Sequence, residues 1–223
     1  MLPVMRGMLA CQWRQQAGQV LARTYSGMGI SQTSSSKLAD VMKTDDLVGK
    51  TREQIAEIWL QYHSDSSQGR AGSVLSKEEW ELLQERGRKS PMFVLPLAKP
   101  KGGYLTLLTQ HQLPFTLVTS LDEYRRMGAG APACMNVTHY TELLDSAGIV
   151  LVRGDIVTNT LINAPEARTV LELIRAFYTN SDDYKAVLDF NHQPAAFDFN
   201  KILEKCAVTP AAATPAADQP AAK

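Results

Sequence analysis

The side chains with chemistry to offer are few and scattered. The histidines are His63, His111, His139 and His192, and the cysteines are Cys11, Cys134 and Cys206. A helix-borne metal site needs ligands three or four residues apart on one face, and no histidine stands in such a pattern. His139 follows Cys134 by five residues, which suggests a Cys/His pair in which the imidazole takes the thiol proton. Nothing in the sequence puts those two side chains on one site. Gly128-Ala129-Gly130-Ala131-Pro132 is Gly-rich, but it runs from a helix into a strand, the reverse of a phosphate-cradling loop. Asp122/Glu123 and Asp182/Asp183 fall at helix N-termini, where the dipole accounts for them. Arg153-Gly154-Asp155 resembles an adhesion tripeptide yet lies inside a strand pattern. Asn136-Val137-Thr138 is a formal glycosylation sequon. This inventory points away from a compact catalytic centre and towards a protein that acts through its surface.

The elements that would position these residues read clearly. Thr51-Arg52-Glu53-Gln54 is a capping box, and Ile55, Ile58, Trp59 and Tyr62 follow as one helical stripe. Residues 64–73 read as a polar loop. Ser76-Lys77-Glu78-Glu79 is a second capping box, and the spacing predicts a helix carrying Trp80 and Leu83 that Gly87 ends. The period then changes to that of strands. Residues 92–97, 104–110 and 113–120 predict a three-stranded antiparallel meander. Pro96 and Pro114 lack the amide a central ladder needs and so favour an edge or a strand end. A short helix from Ser120 to Gly128, a strand over 134–140 and a helical turn over 141–147 come next. Ile149, Val150, Leu151 and Val152 predict a strand covered on both faces. Asn163 and Pro165 open a helix whose stripe is Val170, Leu171, Ile174, Phe177 and Tyr178. Two shorter helices follow, over 181–190 and 198–206. The fold class is α+β, a mainly antiparallel central sheet with N-terminal and C-terminal helices packed against it.

The first 39 residues contain no Asp or Glu but carry Arg6, Arg14, Arg23 and Lys37. That composition is the form of an organelle-import leader. Val4, Met5, Met8, Leu9 and Trp13 give a helix one apolar side, and Arg23-Thr24-Tyr25-Ser26 resembles a mitochondrial processing site with cleavage after Tyr25. The Ser cluster over 31–36 also admits a chloroplast leader. The expected organisation is a transit peptide over 1–25, a Ser/Gly-rich linker over 26–36 and one domain over 37–206. An Ala/Pro tail over 207–223 is too poor in apolar residues to order itself. The chain has 23 basic and 23 acidic residues. Losing three arginines with the leader leaves a net of about −3, which disfavours general nucleic-acid binding. No apolar stretch reaches the ~20 residues of a membrane-spanning helix.

An ordered set of landmarks carries a resemblance. They are Lys37-Leu38-Ala39-Asp40-Val41-Met42, Ile55-Ala56-Glu57-Ile58-Trp59-Leu60-Gln61-Tyr62-His63 and Pro91-Met92-Phe93-Val94-Leu95-Pro96-Leu97. Gly103-Tyr104 with Gln110, Pro114-Phe115-Thr116 and Tyr140-Thr141-Glu142-Leu143 follow. Gly148-Ile149-Val150-Leu151-Val152-Arg153-Gly154-Asp155, Phe177-Tyr178 and Asn191-His192-Gln193-Pro194-Ala195-Ala196-Phe197 complete the set. In this order the chain resembles the mitochondrial ATP synthase F1-sector assembly factor family, chaperones of the β subunit. The resemblance implies a non-enzymatic matrix protein that needs no cofactor or metal. It would bind the unassembled β subunit as a monomer and be displaced by the α subunit. Trp59, Tyr62, Tyr104 and Phe115 are the candidate anchors, since aromatic residues dominate interfaces. The edge marked by Pro96 and Pro114 is a second candidate, through strand addition. The residues alone leave open a small matrix enzyme, a hydrolase or transferase with a dispersed site, and that reading requires a substrate pocket. They also leave open a nucleic-acid-binding factor, against the net charge.

Overall fold

The computed structural model of the chain describes residues 37–100 and 102–208. The expected leader and linker, Lys101 and the tail from residue 209 lie outside the described residues. Two 3-10 turns, Leu38–Asp40 and Thr44–Leu47, lead into α1 (Arg52–Tyr62). Then come β1 (Arg70–Ser76), α2 (Lys77–Lys89), β2 (Met92–Ala98), β3 (Tyr104–Gln112), β4 (Phe115–Ser120) and α3 (Leu121–Met127). After these follow β5 (Met135–Tyr140), α4 (Leu144–Ala147), β6 (Ile149–Ile156), α5 (Ala164–Thr179), α6 (Ser181–His192) and α7 (Phe199–Lys205). The fold is α+β: six strands form one antiparallel sheet in the order β1-β6-β5-β4-β3-β2.

Local chemistry starts the helices. Both halves of the capping box form at Thr51/Gln54, Ser76/Glu79 and Asn163/Glu166, so orphan amides at those ends are paired within the chain. Their apolar stripes then choose the faces. Trp80 and Leu83 of α2 join Val170, Leu171, Ile174, Phe177 and Tyr178 of α5, and Tyr184 and Val187 of α6. Together they cover one sheet face through Ala71, Leu75, Phe93, Leu95, Leu107, Val137 and Val152. Each large side chain buried there contributes about 1.5–3 kcal/mol.

Among the described residues the other face is covered only at its ends. At one end Leu38, Leu47, Ile55 and Trp59 pack on Tyr140, Ile149 and Leu151. The Trp59 ring is fully buried, and its Nε1–H donates to the Val152 carbonyl at 3.1 Å. At the other end Leu121 and Tyr124 of α3 pack with Val94 and Leu108.

Three expectations are revised. Residues 70–76, the end of the expected polar loop and the cap after it, form β1 on β6, because Ala71, Ser73 and Leu75 alternate onto the helix-covered face. Gly87 lies inside α2, which runs to Lys89. A Cβ at Gly87 would stand 3.3 Å from Leu113 Cδ1 and 3.5 Å from His111 Cβ, so this glycine lets helix and sheet approach rather than ending the helix. Pro114 marks a strand end and not an edge: it stands in the turn just before β4, and β3 and β4 are both interior strands. Pro96 does lie on the outermost strand β2, where Asn191 Nδ2 donates to the Met92 carbonyl at 2.6 Å. The Met92 amide donates back to Asn191 Oδ1 at 3.4 Å. Side-chain amide and proline together blunt that edge against strand addition.

Gly72 of β1 lies directly under His63, the cap residue of α1. A Cβ there would fall 2.8 Å from both Cβ and Cγ of His63. Gly72→Ala is therefore expected to destabilise the fold by about 1–3 kcal/mol. Urea unfolding measures this, and an unchanged midpoint would contradict the packing described.

Candidate functional site

Cys134, His139, His111 and His63 are buried, and burial favours their neutral forms. Cys134 donates its Sγ–H to the Val118 carbonyl at 3.2 Å, whereas His139 donates Nδ1–H to the Pro114 carbonyl at 2.9 Å. Burial pushes the Cys134 thiol up to about 12 and the His139 imidazole down to about 4, the reverse of a thiolate–imidazolium pair. His111 is lowered to about 3, by burial first and by its neighbour His139 second. His63 is lowered to about 4 by burial, with the charges of Arg153 and Arg70 adding and its bond to the Trp59 carbonyl opposing. His192 is exposed, beside Ser90 Oγ and the Lys89 carbonyl, each at 3.1 Å. Among the described residues no three His, Cys, Asp or Glu converge as a metal-binding group.

The remaining sequence motifs are accounted for structurally. Gly128–Gly130 is a 3-10 turn from α3 towards β5. Asn136 of the sequon is buried within β5. Arg153 and Asp155 pair with each other along β6, at 2.8 and 2.6 Å. A cavity of about 10 Å³ under α2 and α5, lined by Ser73, Leu83, Val137 and His139 among others, has room for about one water. A substrate pocket spans about 300–1,000 Å³.

The site with unspent recognition capacity lies on the second sheet face, between α1 and α3. Strand register lays two rows of side chains across it. One is Gln112, Phe115, Thr138, Arg153 and Gly72; the other is Gln110, Leu117, Asn136, Asp155 and Arg70. Phe115 and Leu117 are partly exposed and belong to none of the three apolar clusters. Beside them lies a polar group with unspent hydrogen-bonding atoms. Thr138 Oγ1, Asp155 Oδ2, Arg70 Nε and, above Gly72, His63 Nε2 are all buried with no hydrogen-bond partner among the described residues. Each such atom costs about 1–3 kcal/mol if nothing completes it.

The candidate anchors separate on this map. Phe115 lies in the first row. Tyr62 is 46% exposed and reaches the same face, since the Arg70 guanidinium stacks 4.4 Å from its ring centroid. Trp59 has no exposed surface and belongs to the core. Tyr104 starts β3 and its ring rests on Phe199 at 6.1 Å, away from both rows. Leu117, Arg153, Asp155 and Thr138 did not stand out in the sequence as anchors. Their signal is the alternation of β4, β5 and β6, which becomes a surface only once register is known.

Comparison with known proteins gives this geometry a context. Residues 14–203 match a family model described as ATP11 protein, a match that begins within the expected leader. "ATP synthase mitochondrial F1 complex assembly factor 1" of Mus musculus is 27% identical over 173 residues, covering 77% of this chain and 52% of that protein. The Homo sapiens protein of the same name is 25% identical over 175 residues, with the same coverage of each chain. "Protein atp11, mitochondrial" of Schizosaccharomyces pombe is 30% identical over 141 residues, 58% of this chain and 49% of the relative. The chain thus spans about half the length of these relatives.

Two outcomes follow from the neutral, buried side chains. In the unfolded chain a histidine titrates near ~6.5, whereas the folded values for His63, His111 and His139 are about 4, 3 and 4. Between those values the unfolded state binds protons that the fold refuses. Stability is therefore full above pH ~6.5 and falls as pH drops towards 4, at about 1.4 kcal/mol per pH unit for each such histidine. Urea unfolding at pH 7 and pH 5 tests this; equal stability would contradict it. Cys134 is expected to escape alkylation in the folded protein and react fully in denaturant, as read by peptide mass mapping. Rapid native labelling of Cys134 would contradict its burial.

Proposed function

The chain belongs to the ATP11 protein family, and from that premise we propose that it is a mitochondrial assembly chaperone, non-enzymatic, acting in the matrix. Its client is the unassembled β subunit of ATP synthase, and its task is to keep that subunit soluble until the α subunit displaces it into the F1 hexamer. The family match over most of the chain carries this reading, together with relatives whose names state F1 complex assembly.

Physical features support it. A subunit that will be enclosed by neighbours exposes apolar interface before assembly, and patches of that size aggregate. A partner that covers them must offer surface of matching character and later give it up. The second sheet face has that character, with apolar side chains outside the core beside unspent hydrogen-bonding groups. Release by exchange with another subunit needs no bond making, which fits a protein in which Cys134, His111 and His139 are buried in uncharged form. No helix among the described residues is long and apolar enough to cross a membrane.

Co-expression tests the proposal. The chain is expected to raise the soluble yield of the β subunit and to co-elute with it on size exclusion, and added α subunit is expected to displace it. A β subunit that stays insoluble, with no complex recovered, would overturn the proposal.

A further inference from the structure

We infer that the two-row strip on the second sheet face, between α1 and α3, is the docking surface for an acidic, apolar-bearing segment of the client. This rests on the reading of the chain as a β-subunit chaperone. Its occupant is defined by the strip's own chemistry.

The strip has two unlike halves. On β4, Phe115 and Leu117 offer apolar surface that no cluster of the fold uses, flanked by the amides of Gln110 and Gln112 on β3. On β6 and β1, Arg153 pairs with Asp155 at 2.6 Å, while the Arg70 guanidinium stands opposite in the register, stacked on Tyr62 and beside a neutral His63. Within the two rows that is two guanidinium groups against one carboxylate, and Arg70 has no carboxylate ion pair among the described residues. That half also holds the unpartnered atoms: Arg70 Nε, Asp155 Oδ2, Thr138 Oγ1 and His63 Nε2. Thr138 and His63 are each 1% exposed. They are therefore fixed groups within the fold, unlike flexible surface side chains.

Adjacent strands lie about 4.8 Å apart. From β3 across β4, β5 and β6 to β1 the strip therefore runs about 19 Å, the span of about six extended residues. A client segment crossing it would set an apolar side chain on Phe115 and Leu117 and a carboxylate against Arg70 and Arg153. Tyr62, stacked on Arg70, closes the basic end as a rim. A basic segment meets the wrong charge there, and a purely apolar one leaves Arg70 without a carboxylate partner.

The test uses the full chain and purified β subunit, with affinity read by titration calorimetry at two salt concentrations. Leu117→Asp is expected to weaken binding about tenfold or more, the scale of an interface anchor. Gln112→Glu is expected to weaken it a few-fold and Gln112→Lys to tighten it, with both effects shrinking at high salt. Leu188→Ser, on exposed α6 surface of the opposite layer, is expected to leave affinity unchanged. Urea midpoints check folding; if Leu117→Asp fails to fold, the opposed shifts at Gln112 decide the matter alone. Wild-type binding that all these variants share would overturn the docking surface while leaving the chaperone reading intact. Absence of wild-type binding would overturn both. A wild-type dimer that Leu117→Asp dissolves would overturn the inference by making the strip a contact between copies of this chain.

Discussion

One sheet with two unequally covered faces is the constraint from which the rest of the structure follows. A six-stranded antiparallel sheet must bury apolar side chains on at least one face, and here the continuous apolar run Ile149–Val152 requires cover on both. Helices α2, α5 and α6 complete one face. The second receives a clamp at each end, α1 with its preceding turns and α3. Trp59 secures the first clamp by burying its whole ring and bonding the Val152 carbonyl. Between the clamps the sheet surface turns from core-like to mixed, and recognition capacity collects there.

The same arrangement explains why Cys134, His111 and His139 lie buried. Cys134, His111 and His139 are drawn into the sheet and its helical layer, where burial favours their uncharged forms. Cys134 precedes β5 and bonds the Val118 carbonyl, whereas His139 lies on β5 and bonds the Pro114 carbonyl, so each is committed to a different backbone partner. Surface chemistry thus falls to groups paired across strands, and those are suited to holding a polypeptide.

Much of this was legible in the sequence, and what was not has a physical cause. Capping boxes and the α5 stripe act locally, so they located three helices directly. The meander from β2 to β4 showed itself by period and turn residues. Strand β1 was hidden because Gly72 and Ser73 carry loop-like composition. They sit in a strand because His63 packs onto Gly72 and β6 supplies the ladder, both of which are tertiary facts. Gly87 misled for a similar reason: close approach to His111 and Leu113, not the end of a helix, selects it. Among the anchor candidates, an aromatic stripe cannot distinguish Trp59 in the core from Tyr62 at the rim, since both lie on α1. The strip itself draws on five strands and exists only in register, so no contiguous motif encodes it.

A client held on the partly covered face of the sheet, as proposed above, must shield that face from solvent. Hydroxyl-radical footprinting of side chains, with and without bound β subunit, tests it most directly. The account predicts that oxidation of Phe115, Leu117 and Tyr62 slows in the complex while Leu188 on the helical layer is unchanged. Protection of Leu188 and the helical layer, with Phe115 and Leu117 oxidised as fast as in the free chain, would contradict it.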